Sequence, residues 1–351
     1  MLLQVEDLEV TFPTSDGLVE AVRGVSFSVA AGKTLGIVGE SGSGKSVAVQ
    51  TVMGLTRGAH ISGRVLFEGT DLLQTGRKEL RKVRGDRIGM VFQDPLSSLH
   101  PYYRVGAQIV EAIRAHEKVS RATAHQRAVE LLGLVGIPHP ERRVDDYPHQ
   151  FSGGMRQRAM IAMALSLHPV LLIADEPTTA LDVTVQAQIL DLLKRLQVEM
   201  GMAILMITHD LGIIAELADE VLIMYAGKVM EVAGRRDMYY EAHHPYTLGL
   251  LESLPQSGHE GEPLVPIRGQ PPSLIRPPRG CPFAARCSYA MPKCRTEPPP
   301  LRPLPSSTGH RSACWLPLDL TGTSSEAGTA RELASLVGAQ EGGPLAVGNN
   351  S

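Results

Sequence analysis

The chain has 351 residues, of which 43% are hydrophobic and 20% are charged, with a formal net charge of −3 at pH 7. This mildly acidic balance provides no global basic field, so neither nucleic acid nor an anionic lipid surface is an expected partner. No apolar run reaches the roughly 20 residues that a membrane-spanning helix needs, and Glu6, Asp7 and Glu9 do not fit a signal peptide. We therefore expect a cytosolic protein that reaches a membrane only through a partner.

Two segments of alternating apolar and polar residues, 2–12 and 19–29, predict antiparallel strands joined by a turn at 13–17. Phe12 falls at the tip of this hairpin. An aromatic ring there is placed to stack on a nucleotide base, an interaction worth about 1–3 kcal/mol in other proteins. A plain core phenylalanine is an equally good interpretation of the position alone.

A Gly-rich turn lies between the apolar segment 34–38, a predicted buried strand, and a predicted helix at 47–55. This context is typical of a phosphate-binding loop, although a Gly-rich turn can also carry Lys-Ser by accident. Glycines let backbone N–H groups turn towards a phosphate, the lysine reaches the β- and γ-phosphates, and the last serine holds Mg²⁺. The loop consists of Gly39, Glu40, Ser41, Gly42, Ser43, Gly44, Lys45 and Ser46.

The apolar segment 88–92 predicts another buried strand, and Gln93 follows it at the edge where ligand crevices open in α/β folds. The Gln93 amide is suited to contact Mg²⁺ or an attacking water, whereas a lone glutamine there is more often a surface residue. Two helical segments, at about 105–117 and 122–135, follow with no strand predicted between them. They predict a helical insertion in the α/β order.

The segment Ser152-Gly153-Gly154 predicts the start of a helix that runs to about Leu167. The serine caps the helix, and the glycines bring backbone N–H groups close to whatever lies at that end. We interpret this helix end as a second anion site, although the motif alone would indicate only a good helix start.

Two adjacent carboxylates, Asp175 and Glu176, end the apolar strand predicted at 170–174, where unpaired charges are costly. Asp175 suits the coordination shell of Mg²⁺, and Glu176 suits a general base that deprotonates a water. His209 ends the next predicted strand, at 203–208. Since parallel strands share one carboxyl edge, these side chains are expected to meet near the phosphate-binding loop.

From about residue 255 the composition changes, and prolines crowd positions 263–305. The chain's four cysteines all lie here, at Cys281, Cys287, Cys294 and Cys314. In a reducing cytosol such a group suggests metal or redox chemistry more than disulfides. Four thiols match the Cys₄ requirement of a [4Fe–4S] cluster, and their spacing is wider than that of a zinc pair. Zinc and unligated thiols remain the alternatives.

Taken together, these motifs resemble the ATP-binding subunit of an ABC transporter over residues 1 to about 250. The matching segments are the phosphate-binding loop, Gln93, Ser152–Gly154, residues 171–176, Ala180–Asp182 and His209. A narrower resemblance, over about 320 residues, is to the oligopeptide/dipeptide importer ATPases, which include nickel importers. It rests on the phosphate-binding loop, residues 92–95 and 151–158, His244-Pro245-Tyr246-Thr247 and the Cys-rich end.

The resemblance implies an α/β fold: a P-loop ABC-type ATPase core with an antiparallel β subdomain, an inserted α-helical subdomain and a small irregular Cys-rich module. The ATPase domain would span 1–255, with the helical insertion at about 95–155. The Pro/Cys-rich module would span 256–320, and a disordered tail 321–351.

The resemblance also implies the roles of the residues. Two such chains, homologous or identical, would enclose two ATP molecules head to tail, with Phe12 at the adenine. Ser152, Gly153 and Gly154 of one chain would contact the γ-phosphate held by the other, and Asp182 would also contact nucleotide. Met155 replaces the family's usual glutamine, as it does in related peptide importers, and is not interpreted as inactivating. The remaining ATP-site residues would be Lys45, Ser46, Gln93, Asp175, Glu176 and His209, with Ser46, Gln93 and Asp175 around Mg²⁺.

The implied partners are two membrane-spanning permease subunits, contacted by the segment 95–155, and, through the complex, an extracytoplasmic substrate-binding protein. The chain would then lie at the cytoplasmic face of the membrane. The peptide-importer ATPases share the cysteine pattern, and some carry an iron–sulfur cluster.

Several alternatives remain open. Soluble ABC ATPases of DNA repair or of ribosomes are one class, and a redox sensor built on the cysteines is another. For a transporter, the cargo could be a di- or oligopeptide, a nickel chelate or a sugar, and the ATPase partner could be identical or a paralogue.

Overall fold

The computed structural model describes residues 1–179, 181–254, 266–305 and 308–316. The chain forms two compact units, one of Met1–Val229 with Pro272–Pro277, and one of Met230–Pro271 with Pro278–Ser351. This division falls before the predicted domain boundary at 255, which lies outside the described residues, as does the predicted tail at 321–351. The predicted domain limits therefore stay predictions.

The elements of the first unit agree in order with those predicted from the sequence. Its strands are β1 (Leu3–Thr14), β2 (Gly17–Val29), β3 (Thr34–Val38), β4 (His60–Phe67), β5 (Thr70–Asp71), β6 (Ile88–Val91), β7 (Leu171–Asp175), β8 (Ala203–Thr208) and β9 (Glu220–Tyr225). Its helices are α1 (Lys45–Val52), α2 (Arg77–Val83), α3 (Pro95–Ser98), α4 (Val105–Arg114), α5 (Arg121–Leu134), α6 (Pro140–Arg143), α7 (Gly153–Ala164), α8 (Val183–Met200) and α9 (Leu211–Leu217).

The centre of the first unit is a parallel sheet in the order β9-β3-β8-β7-β6. Every residue of β3, β6, β7 and β8 is buried, which explains why these strands are continuous apolar runs in the sequence. The register pairs Val38 with Thr208 and Asp175 with Ile207. The carboxyl ends of three neighbouring strands therefore meet at one edge, where the polar residues follow.

A second sheet of the same unit is antiparallel, in the order β2-β1-β4-β5. Its first hairpin pairs Phe12 with Val19 and closes through Thr14 and Gly17, as the alternating sequence predicts. Between β6 and β7 the chain forms α3 to α7 and no strand, which agrees with the predicted helical order. Helices α4, α5 and α7 pack on one another.

Within its described residues, the second unit has little regular structure. Its elements are β10 (Lys228–Gly234), which begins just before the unit boundary, α10 (Arg235–Tyr240), α11 (Pro245–Glu252), α12 (Pro292–Thr296), β11 (Arg302–Pro303) and β12 (Arg311–Ser312). Glu231 pairs with Ser312 and Val232 with Arg311, in an antiparallel ladder that β11 extends. Because these elements are short, polar contacts and packing of the Pro-rich segment must also contribute to the stability of the second unit.

Candidate functional site

The phosphate-binding loop curls between β3 and α1. Gly44 has φ 98°, and a Cβ there would lie 2.3 Å from the carbonyl oxygen of Ala21, so only glycine fits. The same holds at Gly39, where a Cβ would lie 2.1 Å from the carbonyl oxygen of Met224. Close packing therefore explains two of the loop's three glycines, and at the third, Gly42, the backbone has φ 77° with open space around it.

Lys45 is buried at the first position of α1. Its Nζ donates to the carbonyl oxygens of Gly39, at 2.6 Å, and Glu40, at 3.0 Å, and so closes the loop on itself. Burial lowers the pKa of Lys45, while the carboxylates of Glu176 and Asp175 oppose that shift. The ammonium therefore lies in a poorly solvated position next to two acids, where an anionic phosphate would stabilise its charge.

Ser46 and Asp175 bring two oxygen ligands together. Ser46 Oγ donates to Asp175 Oδ1 at 2.9 Å, although the residues are 129 positions apart. Burial is the main reason why the pKa of Asp175 is raised, and the hydrogen bond from Ser46 opposes the shift. The hydroxyl oxygen of Ser46 and the buried carboxylate of Asp175 are the kinds of ligand that Mg²⁺ prefers. A bound cation would also stabilise the negative charge of Asp175.

Glu176 is held by three other side chains. Its Oε2 accepts hydrogen bonds from Gln93 Nε2 and Thr179 Oγ1, both at 2.8 Å. On the other side, His209 Nδ1 lies 3.4 Å from Glu176 Oε1. The backbone of Glu176 has φ 48°, unusual for a residue with a side chain, and its N–H donates to the carbonyl of Ile207. The carboxylate therefore has a fixed position at the sheet edge.

The structure thus brings Gln93, Glu176 and His209 together, as the sequence predicts from their places at three strand ends. The contact of Thr179 with Glu176 was not predicted. Its only sequence signal is a hydroxyl residue three positions after an acid, in a segment that turns, and this pattern is common in loops.

The predicted second anion site lies at the start of α7. Ser152 caps the helix, and its Oγ accepts the N–H of Met155 at 3.3 Å. A Cβ at Gly154 would lie 2.8 Å from Val185 Cγ1, which explains the glycine. Asp182 caps α8 in the same way, accepting the N–H of Val185 at 2.9 Å. Phe12 is half-buried at the hairpin tip, so part of its ring stays accessible.

All four cysteines are free and line one small pocket in the second unit. Burial raises the pKa of Cys281 to about 12 and that of Cys314 to about 11. Within the described ranges, no three His, Cys, Asp or Glu side chains are arranged to hold a single metal ion.

A buried carboxylate that the sequence analysis did not single out, Glu231, organises the second unit. It accepts the N–H groups of His243 at 2.7 Å and His244 at 3.0 Å, and its Oε1 lies 2.7 Å from His310 Nε2. Burial alone would raise its pKa, but hydrogen bonds, with that of His310 first, outweigh burial and lower the pKa. Glu231 therefore ties β10 to the start of α11 and to the chain before β12.

Comparison with known proteins agrees with both units. The ABC transporter family model matches residues 22–179, and that of the oligopeptide/dipeptide transporter C-terminal region matches residues 230–294. The oligopeptide transport ATP-binding protein OppD of Escherichia coli is 51% identical over 319 residues, covering 91% of this chain and 94% of the relative. The chain belongs to this family of ABC transporter ATP-binding subunits.

Two further relatives support the assignment. The dipeptide transport ATP-binding protein DppD of Bacillus subtilis is 51% identical, covering 90% of this chain and 94% of the relative. A solved dimeric structure of the ATP-binding cassette MJ0796 with ADP and Pi has a TM-score of 0.61 and 27% identity, covering 66% of this chain and 98% of that chain. The ABC subunit described here is an ATPase that couples ATP hydrolysis to transport. No helix among its described residues has the length and apolar character needed to cross a bilayer.

Proposed function

We propose that this ABC subunit powers the uptake of di- and oligopeptides by closing on ATP as a head-to-tail pair. The observation that carries the ATPase part is Glu176, held by Gln93 and Thr179 at the sheet edge that also carries the phosphate-binding loop. The peptide part is supported by the matched C-terminal region and by relatives whose names specify oligopeptide and dipeptide transport.

In this mechanism the loop of one chain holds the triphosphate, with Lys45 at the β- and γ-phosphates. Ser46, Asp175 and Gln93 would hold Mg²⁺, and the bound ion would supply positive charge that neutralises the phosphates. Glu176 takes a proton from the attacking water, and His209, next to the Glu176 carboxylate, helps to orient it. The nucleotide lies between Phe12 at the adenine and the partner's start of α7.

The start of α7 would serve the partner's nucleotide. Ser152, Gly153 and Gly154 present a capped helix N-terminus, which favours an anion. The hydroxyl of Ser152 is used locally, for Met155, so the free N–H groups that follow it are the anion-binding feature. Asp182 fixes the start of α8 next to this region, and Val185 packs against Gly154. Each chain thus supplies half of two sites, which makes pairing necessary for turnover.

The helical segment at about 95–155 is the proposed contact with the two permease subunits. It starts two residues after Gln93, and Tyr102 and Tyr103 near its beginning are 83% and 59% exposed. Exposed aromatic side chains are enriched in protein interfaces. The chain would therefore lie at the cytoplasmic face of the membrane, in a complex served by an extracytoplasmic substrate-binding protein.

The cargo can be tested directly in proteoliposomes that contain both permease subunits, both ATPase subunits and the binding protein. We expect ATP-dependent uptake of a radiolabelled tripeptide, because ATP-driven closure moves the permease between its two states. The same complex carrying Glu176→Gln, with the general base of the second ATPase subunit also replaced, should show none. Uptake of a nickel chelate or a disaccharide, without peptide uptake, would replace the proposed cargo and leave the ATPase assignment intact.

For the second unit we propose that Cys281, Cys287, Cys294 and Cys314 hold a [4Fe–4S] cluster, which adds cross-links to a module with little core. The support is the convergence of four free thiols on one pocket. Burial raises the pKa of Cys281 and Cys314, so a positive charge such as that of a metal would favour the loss of their protons.

Anaerobically purified protein is expected to contain iron and sulfide in cluster stoichiometry. Cys287→Ser should lose most of the iron, because one of four thiolate ligands is gone, whereas the exposed neighbour change Ser288→Ala should keep it. Iron and sulfide analysis with an absorption spectrum provides the measurement. An iron-free wild-type protein, or stoichiometric zinc, would reject the cluster.

A further inference from the structure

His244 lies in the second unit, at the start of α11. It is 1% exposed, and its Nδ1 accepts the backbone N–H of Tyr246 at 3.0 Å, which caps the helix. A nitrogen that accepts a hydrogen bond carries no proton. In the neutral ring the proton therefore lies on the other nitrogen, Nε2.

The hydrogen bond that Nδ1 accepts from the backbone N–H of Tyr246 leaves the His244 ring neutral, with its one proton on Nε2. Its orientation is also fixed, because its own backbone N–H donates to Glu231 and its ring packs against Phe283 at 6.0 Å between centroids. The position of the Nε2–H group is thus set by backbone and packing contacts alone.

The Nε2–H group of His244 forms no hydrogen bond of normal geometry with any residue that the structure describes. Buried donors without a partner are rare, because they lose their hydrogen bonds to water without replacement. The ring also lines the pocket that all four cysteines line. Besides the nearby backbone of Ala313, which lies outside that geometry, the pocket offers as a partner whatever the four sulfurs hold.

We propose that His244 Nε2–H donates a hydrogen bond to a sulfur of the group bound by the four cysteines, and thereby raises its reduction potential. This inference rests on the proposed cluster. A donor next to a sulfur stabilises the additional negative charge of the reduced form more than that of the oxidised form. Hydrogen bonds to sulfur are one of the main determinants of cluster potential.

Two substitutions separate this role from helix capping. His244→Asn keeps a side-chain acceptor that can cap α11 but is too short to place a donor at the position of Nε2. His244→Gln extends an amide N–H to about that position and weakens the cap. Both are compared with wild-type protein after anaerobic purification, by iron and sulfide content, unfolding temperature and redox titration followed by absorption or electron paramagnetic resonance.

We expect His244→Asn to keep the iron content and the unfolding temperature but to lower the midpoint potential. His244→Gln should lower the unfolding temperature and keep the potential close to that of wild type. A fully iron-loaded His244→Asn protein with the wild-type potential would overturn the inference and leave the cluster standing. A wild-type protein that contains zinc or no metal would overturn the cluster and, with it, this role of His244.

Discussion

Glu176→Gln is expected to lower ATP turnover by about 10²-fold or more while ATP binding persists. The amide has nearly the shape of the carboxylate, but it cannot take a proton from the attacking water. Because ATP then remains unhydrolysed, the variant should accumulate as a closed pair. Turnover is measured by phosphate release, and pairing by size-exclusion chromatography with multi-angle light scattering in the presence of ATP and Mg²⁺.

The control for this prediction is Glu216→Gln, the same chemical change at an exposed position on α9. It should leave turnover unchanged. If the ATPase partner is a paralogue, the partner's own general base must also be replaced, since a second active site would hide the loss. Full turnover of the Glu176→Gln assembly under that condition would assign proton transfer to another group.

Lys45→Ala is expected to abolish ATP binding or nearly so. The Lys45 side chain places a positive charge at the first position of α1, next to the phosphate-binding loop. Since Nζ bonds only the loop's own oxygens in the described contacts, its removal takes this donor away from the carbonyls of Gly39 and Glu40, the second of which keeps the N–H of Ser43 at 3.2 Å. These acceptors would repel an anion and add to the loss.

Binding is measured by isothermal titration calorimetry or with a fluorescent ATP analogue. Lys78→Ala removes an exposed lysine from α2 and is the matched control, which should bind ATP like wild type. Circular dichroism of Lys45→Ala should show a folded protein, because burial already disfavours the charge of this lysine. Unchanged ATP affinity in a folded Lys45→Ala protein would contradict the assignment of the loop.

Much of the ATP site could be predicted from the sequence, because it depends on local patterns. The strand before the loop was predicted at 34–38 and observed as Thr34–Val38. Buried parallel strands are long apolar runs, and the residue after such a run must lie at the carboxyl edge of the sheet. This rule placed Gln93, Glu176 and His209 together before their contacts were seen.

The second unit was much less predictable. Glu231 and His310 are 79 positions apart, and no motif links them, although Glu231 lies in a strand that is predictable at about 228–234. Their contact follows from how the Pro-rich chain folds back on β10, which no local rule describes. The hydrogen bond from Thr179 to Glu176 is local, yet a threonine in a turn has many possible acceptors. Side-chain contacts of this kind are set by the tertiary fold and not by a local sequence pattern.

The hydrogen bond between Gln93 and Glu176 has a mechanical consequence. Gln93 lies two residues before the helical segment at 95–155, and its amide nitrogen is 2.8 Å from the carboxylate oxygen of Glu176. A displacement of about 1 Å along this line would stretch the contact beyond hydrogen-bonding range. A force on the helical segment that pulls at Gln93 is therefore transmitted to the Glu176 carboxylate through a single hydrogen bond. The timing of proton transfer would then depend on strain imposed from outside the ATPase core.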